Sequence, residues 1–93
     1  MERIEVELFT DGGSNAVVRM PGRRFPGVIV QGDTLANLRA ELAEVQKALL
    51  AGDIDEARDS LAFVLHDLDG WLERYTGALE AHGMSLPFFN HPE

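Results

Sequence analysis

From Ala57 to Ala78 an apolar residue recurs at every third or fourth position: Ala57, Leu61, Val64, Leu68, Trp71, Tyr75 and Ala78. Steps of four and three keep these side chains on one face of a 3.6-residue helix, so the stretch predicts a single amphipathic helix. Asp53, with Glu56 three residues later, reads as its capping box, and Gly83 in "HG" supplies the left-handed residue that closes it. About 28 helical residues rising 1.5 Å each extend roughly 42 Å. A domain of this length has a radius of gyration near 12 Å and measures only about 30–35 Å across. Either the helix breaks near Gly70, or a second copy covers part of its apolar face. A flanking row of Leu65, Leu72 and Leu79 adds apolar surface that one short neighbouring helix cannot cover. The expectation is a homodimer seamed by Leu61, Leu65, Leu68, Trp71, Leu72, Tyr75 and Leu79, in a four-helix arrangement about a two-fold axis.

The rest of the chain reads as three short strands and a first helix. Residues 3–9 alternate, with Ile4, Val6 and Leu8 on one face and Arg3, Glu5 and Glu7 on the other, until Phe9 breaks the polar side. That pattern predicts a half-buried strand. "TDGGSN" at 10–15 is a turn rich in residues that tolerate positive φ, and "AVVRM" at 16–20 returns as a second strand. The two prolines of "PGRRFPG" keep residues 21–27 out of a sheet interior. "VIVQ" at 28–31 has the β-branched profile of a third strand. Asp33 or Thr34 is then the expected cap of a helix carrying Leu35, Leu38, Leu42, Val45 and Leu49, which Gly52 ends. The predicted fold is α+β: a three-stranded antiparallel sheet (1–32), a two-helix hairpin packed on one face (33–83) and an extended tail (84–93).

Charge is segregated along this plan. Residues 1–32 hold four acids and four bases, whereas residues 33–93 hold twelve acids and four bases, which supplies the whole net charge of −8. An acidic helical half repels phosphate backbones, which argues against nucleic acid and favours a basic protein partner. The chain has no cysteine, so neither disulfides nor thiolate metal sites can staple it. The longest apolar run, "LAFVL" at 61–65, is far too short to span a bilayer. "MERIEVELF" has no uninterrupted apolar core, so no signal peptide is expected and the expected location is the cytoplasm.

Few residues offer chemistry. His66, Asp69 and Glu73 lie on successive turns of the second helix, a spacing that can hold a divalent ion or make a general base. Acids and histidines on the polar side of an amphipathic helix more simply face water. His82 near a helix end is favourable when protonated, and His91 lies in the tail. Glycine-rich nucleotide loops are absent, and a nucleophilic triad finds no parts. No catalytic residue, metal or cofactor is therefore expected. The remaining features suit contact with a protein. Arg23, Arg24 and Phe25 form a basic–aromatic cluster that either grips a partner carboxylate or pairs with acids of its own chain. Phe88 and Phe89 either fold back onto the sheet or anchor a partner.

The stretch "FPGVIVQGDT" (25–34) resembles the strand-to-helix junction of HicB-like antitoxins: Pro-Gly, a short strand ending in Gln, then Gly-Asp-Thr and a helix. "ALEAHGMSLPFF" (78–89) is similar to that family's helix end, an aliphatic helix closing on Gly and then an x-Pro. The resemblance departs in two places. Some twenty residues of second helix intervene before the Gly-x-Pro end, and no DNA-binding extension follows. What it implies is a partial ribonuclease-H-like fold in a non-catalytic protein that masks a partner or assembles with itself. The functional expectation is thus an interaction module, antitoxin-like or immunity-like. The alternative is a small-molecule binder or minor enzyme with a pocket between sheet and helices, closed by Phe88 and Phe89.

Overall fold

The computed structural model describes residues 1–88. Along the chain come strands β1 (Glu7–Leu8), β2 (Val17–Arg19) and β3 (Gly27–Val28), then helices α1 (Gly32–Leu50) and α2 (Ile54–Ala81). The fold is α+β, an antiparallel sheet in the order β1-β2-β3 followed by two helices. The chain forms two compact units, one of residues 1–29 with 71–88 and one of Val30–Gly70.

In the sheet unit the register sets Glu7 opposite Arg19, Leu8 opposite Val18, Val17 opposite Val28 and Val18 opposite Gly27. Directly paired residues share a face, and faces alternate along each strand. Val17 and Val28 therefore face one way, while Leu8 and Val18 face the other. Residues 71–81 of α2 cover the Val17 side. Val17, Tyr75, Ala78 and Leu79 form the buried cluster, with Phe9, Val28, Met84 and Leu86 packed around it. Val17 and Leu79 are both 0% exposed. Burying one such side chain contributes about 1.5–3 kcal/mol, so this contact is the sheet's principal anchor.

The strand expected over residues 3–9 is corrected in two respects. Only Glu7 and Leu8 pair with β2, and Ile4, Val6 and Leu8 stand 50%, 43% and 52% exposed instead of in the core. The residue that turns inward is Phe9, whose N–H donates to the Val17 carbonyl at 2.8 Å and whose ring lies 4.7 Å from that of His82. Arg19 and Glu7 form a two-point ion pair on the same side, at 2.6 and 3.0 Å, with the guanidinium 5.4 Å above the Phe9 ring. The other strands are shorter than their sequence profiles suggest, since the turn chemistry on either side takes their ends. Thr10 shows this most directly: its hydroxyl accepts the Val17 N–H at 3.1 Å, so a side chain stands where a ladder bond would be.

The helical unit pairs α1 with residues 54–70 of α2. The turn between them has Gly52 at φ 76°, with Gly52 N–H donating to the Leu49 carbonyl and Asp53 N–H to the Ala48 carbonyl. This double bond pattern satisfies the last helical carbonyls. Asp53 then caps α2, accepting the Glu56 N–H at 3.1 Å. Ala48, Ala57 and Val64 are the buried side chains of this unit, two of them small enough to let the helices approach closely. The start of α1 differs from expectation. Gln31 occupies the N-cap position without a side-chain bond, while Asp33 lies in the first turn and accepts only the adjacent Thr34 N–H. A carboxylate there still complements the helix dipole. Its removal therefore costs a few tenths of a kcal/mol and not the ~1 kcal/mol of a lost cap.

Helix α2 runs through Gly70 without a break, which removes the first of the two explanations for its length. A Cβ added at Gly70 meets nothing within 4 Å. Gly83 is different: at φ 68° it closes α2, its N–H bonding the Glu80 carbonyl and the Met84 N–H bonding Leu79. Gly70→Ala is expected to stabilise the protein by up to about 1 kcal/mol, because alanine loses less backbone entropy in a helix. Gly83→Ala is expected to destabilise it by about 1–2 kcal/mol through left-handed strain. Urea unfolding of the two variants measures both signs.

Candidate functional site

Two surfaces, one on each unit, stand out. On the sheet unit, the face opposite the helix is apolar and open. Leu8, Met20 and Ile29 are exposed there beside half-buried Val18. A groove of about 450 Å³ opens on it, lined by Val18, Met20, Arg23, Phe25, Gly27 and Ile29. The β2–β3 connection supplies its charged wall. Arg24 lies 5.2 Å above the Phe25 ring, and Arg19 donates to the Arg24 carbonyl at 3.2 Å. Arg23 and Phe25 thus line the groove, while Arg24 stacks on the Phe25 ring without lining it. Among the described residues the ion pairs are Arg19–Glu7 and Arg74–Asp11, so neither Arg23 nor Arg24 pairs with an acid.

Phe88 does not join that cluster. Its ring lies 6.1 Å from Tyr75, on the helix-covered side. Phe89 and His91 lie outside the described residues. Tyr75 and Leu79, expected at a dimer seam, are instead buried against the unit's own sheet, and a second copy cannot reach them. The reason lies in the half-turns of α2: the stripe that runs through Tyr75 and Ala78 is the one that meets Val17. Tyr75 also donates its hydroxyl to the Pro26 carbonyl at 2.8 Å. Leu61, Leu65 and Leu72 do remain exposed, with Leu68 and Trp71 half-buried.

On the helical unit, carboxylates and apolar side chains mix at the surface. Residues 30–70 hold nine acids against three bases, and none of them forms an ion pair among the described residues. Leu35, Leu42 and Leu49 of α1 are exposed, as are Leu61 and Leu65, and Phe63 stands 70% exposed. Between the helices Glu41, Glu44, Ser60 and Phe63 line a hollow of about 170 Å³. One oxygen of Glu41, Oε2, is shielded from water and has no hydrogen-bond partner among the described residues. A carboxylate oxygen left so is costly until a donor reaches it. Periodicity marks Glu41 only as a polar helix position, and nothing in the sequence distinguishes it from its acidic neighbours.

His66, Asp69 and Glu73 are exposed. Among the described residues no three histidine or carboxylate side chains gather closely enough to hold a metal. His82 donates its Nδ1–H to the Ala78 carbonyl at 2.8 Å, a bond that fastens the helix end. No helix among the described residues is long and apolar enough to cross a membrane.

These features define a small α+β domain whose conspicuous surfaces are an Arg-edged apolar sheet face and an acidic helical hairpin. The chain belongs to DUF6959, a family of unknown function whose model matches residues 1–88. No curated protein and no solved structure matches it.

Burial pushes the Tyr75 phenol above its ordinary range. The unfolded chain therefore releases this proton first, and the stability that neutral Tyr75 supplies is whole below about pH 10 and lost as pH rises towards the raised value. Tyr75→Phe is expected to cost about 0.5–1.5 kcal/mol at neutral pH. Tyr75 is the chain's single tyrosine, so the difference between the two proteins should shrink in alkali, which paired denaturation curves at pH 7 and above pH 10 would reveal.

Proposed function

We propose that this protein is a non-catalytic interaction module of the cytoplasm that self-associates and whose hairpin docks a basic protein. The observation that carries the reading is the hairpin's surplus of acids, nine against three bases over residues 30–70 with none in an ion pair among the described residues, around a hollow lined by Glu41, Glu44, Ser60 and Phe63. A lysine or arginine side chain of a partner would pair with the carboxylates at the rim of this hollow, and charge-assisted bonds of this kind are the strong ones. Exposed leucines and Phe63 around the hollow provide apolar contact, and the surplus of acids steers a cationic protein toward it. An antitoxin-like or immunity-like role, in which such a module masks a basic protein, draws further support from the likeness of "FPGVIVQGDT" to the HicB-like junction.

A second reading has one observation in its favour. The groove beside β3 combines apolar walls with the unpaired Arg23, a combination suited to a small apolar molecule with an anionic head. Native mass spectrometry of the purified protein separates the two: a retained small molecule supports this reading, and a bound protein the first.

The hairpin reading is tested with a synthetic amphipathic helix bearing lysines on one side and leucines on the other. Its affinity is expected to fall steeply with salt, since exposed charges are screened beyond about 8–10 Å. Glu41→Gln is expected to weaken binding about tenfold, equivalent to ~1.4 kcal/mol, without loss of stability. Equal binding of a glutamine-for-lysine peptide would overturn the reading.

A further inference from the structure

Strand β1 lies at the edge of the sheet, and among the described residues no strand pairs with its outer side. Because the Phe9 N–H donates to Val17, odd-numbered residues of this strand direct their amides toward β2. Antiparallel pairing alternates these directions, so Leu8 directs its amide outward, and Val6 and Ile4 would do the same in a strand extended to residue 2. Residues 2–6 alternate like a strand yet pair with no strand among the described residues. β2 cannot serve them, since it ends at Arg19 and the chain turns away, with the Arg23 N–H bonding the Met20 carbonyl. Arg3 and Glu5 have no ion-pair partner among the described residues. The edge also lacks the proline or bulge that commonly blocks further pairing.

We infer that this edge is a self-pairing seam, in which residues 2–6 of two copies lie antiparallel about a two-fold axis and join two sheets into one. The charges choose the register. With Ile4 opposite Ile4 of the second copy, Arg3 lies opposite Glu5 of the second copy, and the symmetry repeats that pair. A shift by one pair in one direction sets Glu5 against Glu5, and in the other sets Arg3 against Arg3. Like charges directly opposite are destabilising, so a single register is free of conflict. Outward amides make Ile4 a hydrogen-bonded pair, which leaves Arg3 and Glu5 in the non-hydrogen-bonded pairs where side chains approach most closely. A two-fold interface must complement itself, and "RIE" at 3–5 does so.

The seam rests on the self-association proposed above but not on the hairpin's basic partner. Light scattering on the full chain provides the test. The wild-type protein is expected to have the mass of two chains, and its Ile4 and Val6 amides to be protected from hydrogen exchange. Arg3→Glu and Glu5→Arg should each yield monomers that melt like the parent, because both residues are exposed and unpaired in the single chain. Mixing the two variants should restore a dimer containing one of each, since each then meets its opposite charge. A monomeric wild type would overturn self-association itself. Dimers that survive both substitutions would overturn this seam and place the interface elsewhere, with the exposed row of Leu61, Leu65 and Leu72 as the next to probe.

Discussion

Contact between Leu79 and Val17 is the interaction on which the sheet depends. Strands of two or three residues have few ladder bonds, and so small a sheet is not stable in water without something packed on it. The last three turns of α2 provide that cover. Around the fully buried pair, the Tyr75 hydroxyl reaches the Pro26 carbonyl, Arg74 reaches Asp11 in the β1–β2 turn at 2.7 Å, and Met84 folds back after Gly83. The first two fix different strand connections to the same helix segment, and the third packs the chain after the helix against the buried cluster. The sheet is shaped by its lid as much as by its own ladder.

This dependence explains what was legible in the sequence and what was not. Helical period alone located both helices, and glycine chemistry located their ends at Gly52 and Gly83, because those signals are local. The number and order of strands were equally readable. Their faces were not. Alternation at Ile4, Val6 and Leu8 states that two sides of a strand differ, but not which side the chain will cover. That is decided by Phe9, seemingly an interruption of the pattern, when it meets His82 and the Arg19 guanidinium. The same limit applies to α2, where Tyr75 and Leu79 looked like part of an external seam until the sheet claimed them. Of the candidate surfaces, the Arg23–Arg24–Phe25 cluster was visible as a run of residues. The dry oxygen of Glu41 arises only when two helices meet.

The two units handle charge differently, and that difference gives them separate functional characters. In the sheet unit Glu7 and Asp11 each pair with an arginine, and the Arg19 pair holds the Glu7 carboxyl below its usual range. Charge there is mainly a fastening. In the hairpin the acids outnumber the bases nine to three, and none forms an ion pair among the described residues. Such a surface combines negative charge with exposed apolar area. Among the described residues no buried residue is charged.

The inward turn of Phe9 has a consequence for how the chain finds its native state. A slip of β1 by one residue along β2 would exchange its faces, sending Ile4, Val6 and Leu8 inward and Phe9 out. Three aliphatic residues then compete with one aromatic for the same interior, so two pairings of one edge draw on the same hydrophobic drive. Native geometry prevails through contacts that are specific to it: the Arg19–Glu7 fork, the Thr10 hydroxyl on the Val17 amide, and the Phe9 ring against His82. Local pattern and global fold disagree at this one strand, which makes it the point of greatest frustration in the molecule. The ring at position 9 is the latch that resolves it, and its seat is the His82 ring just beyond α2.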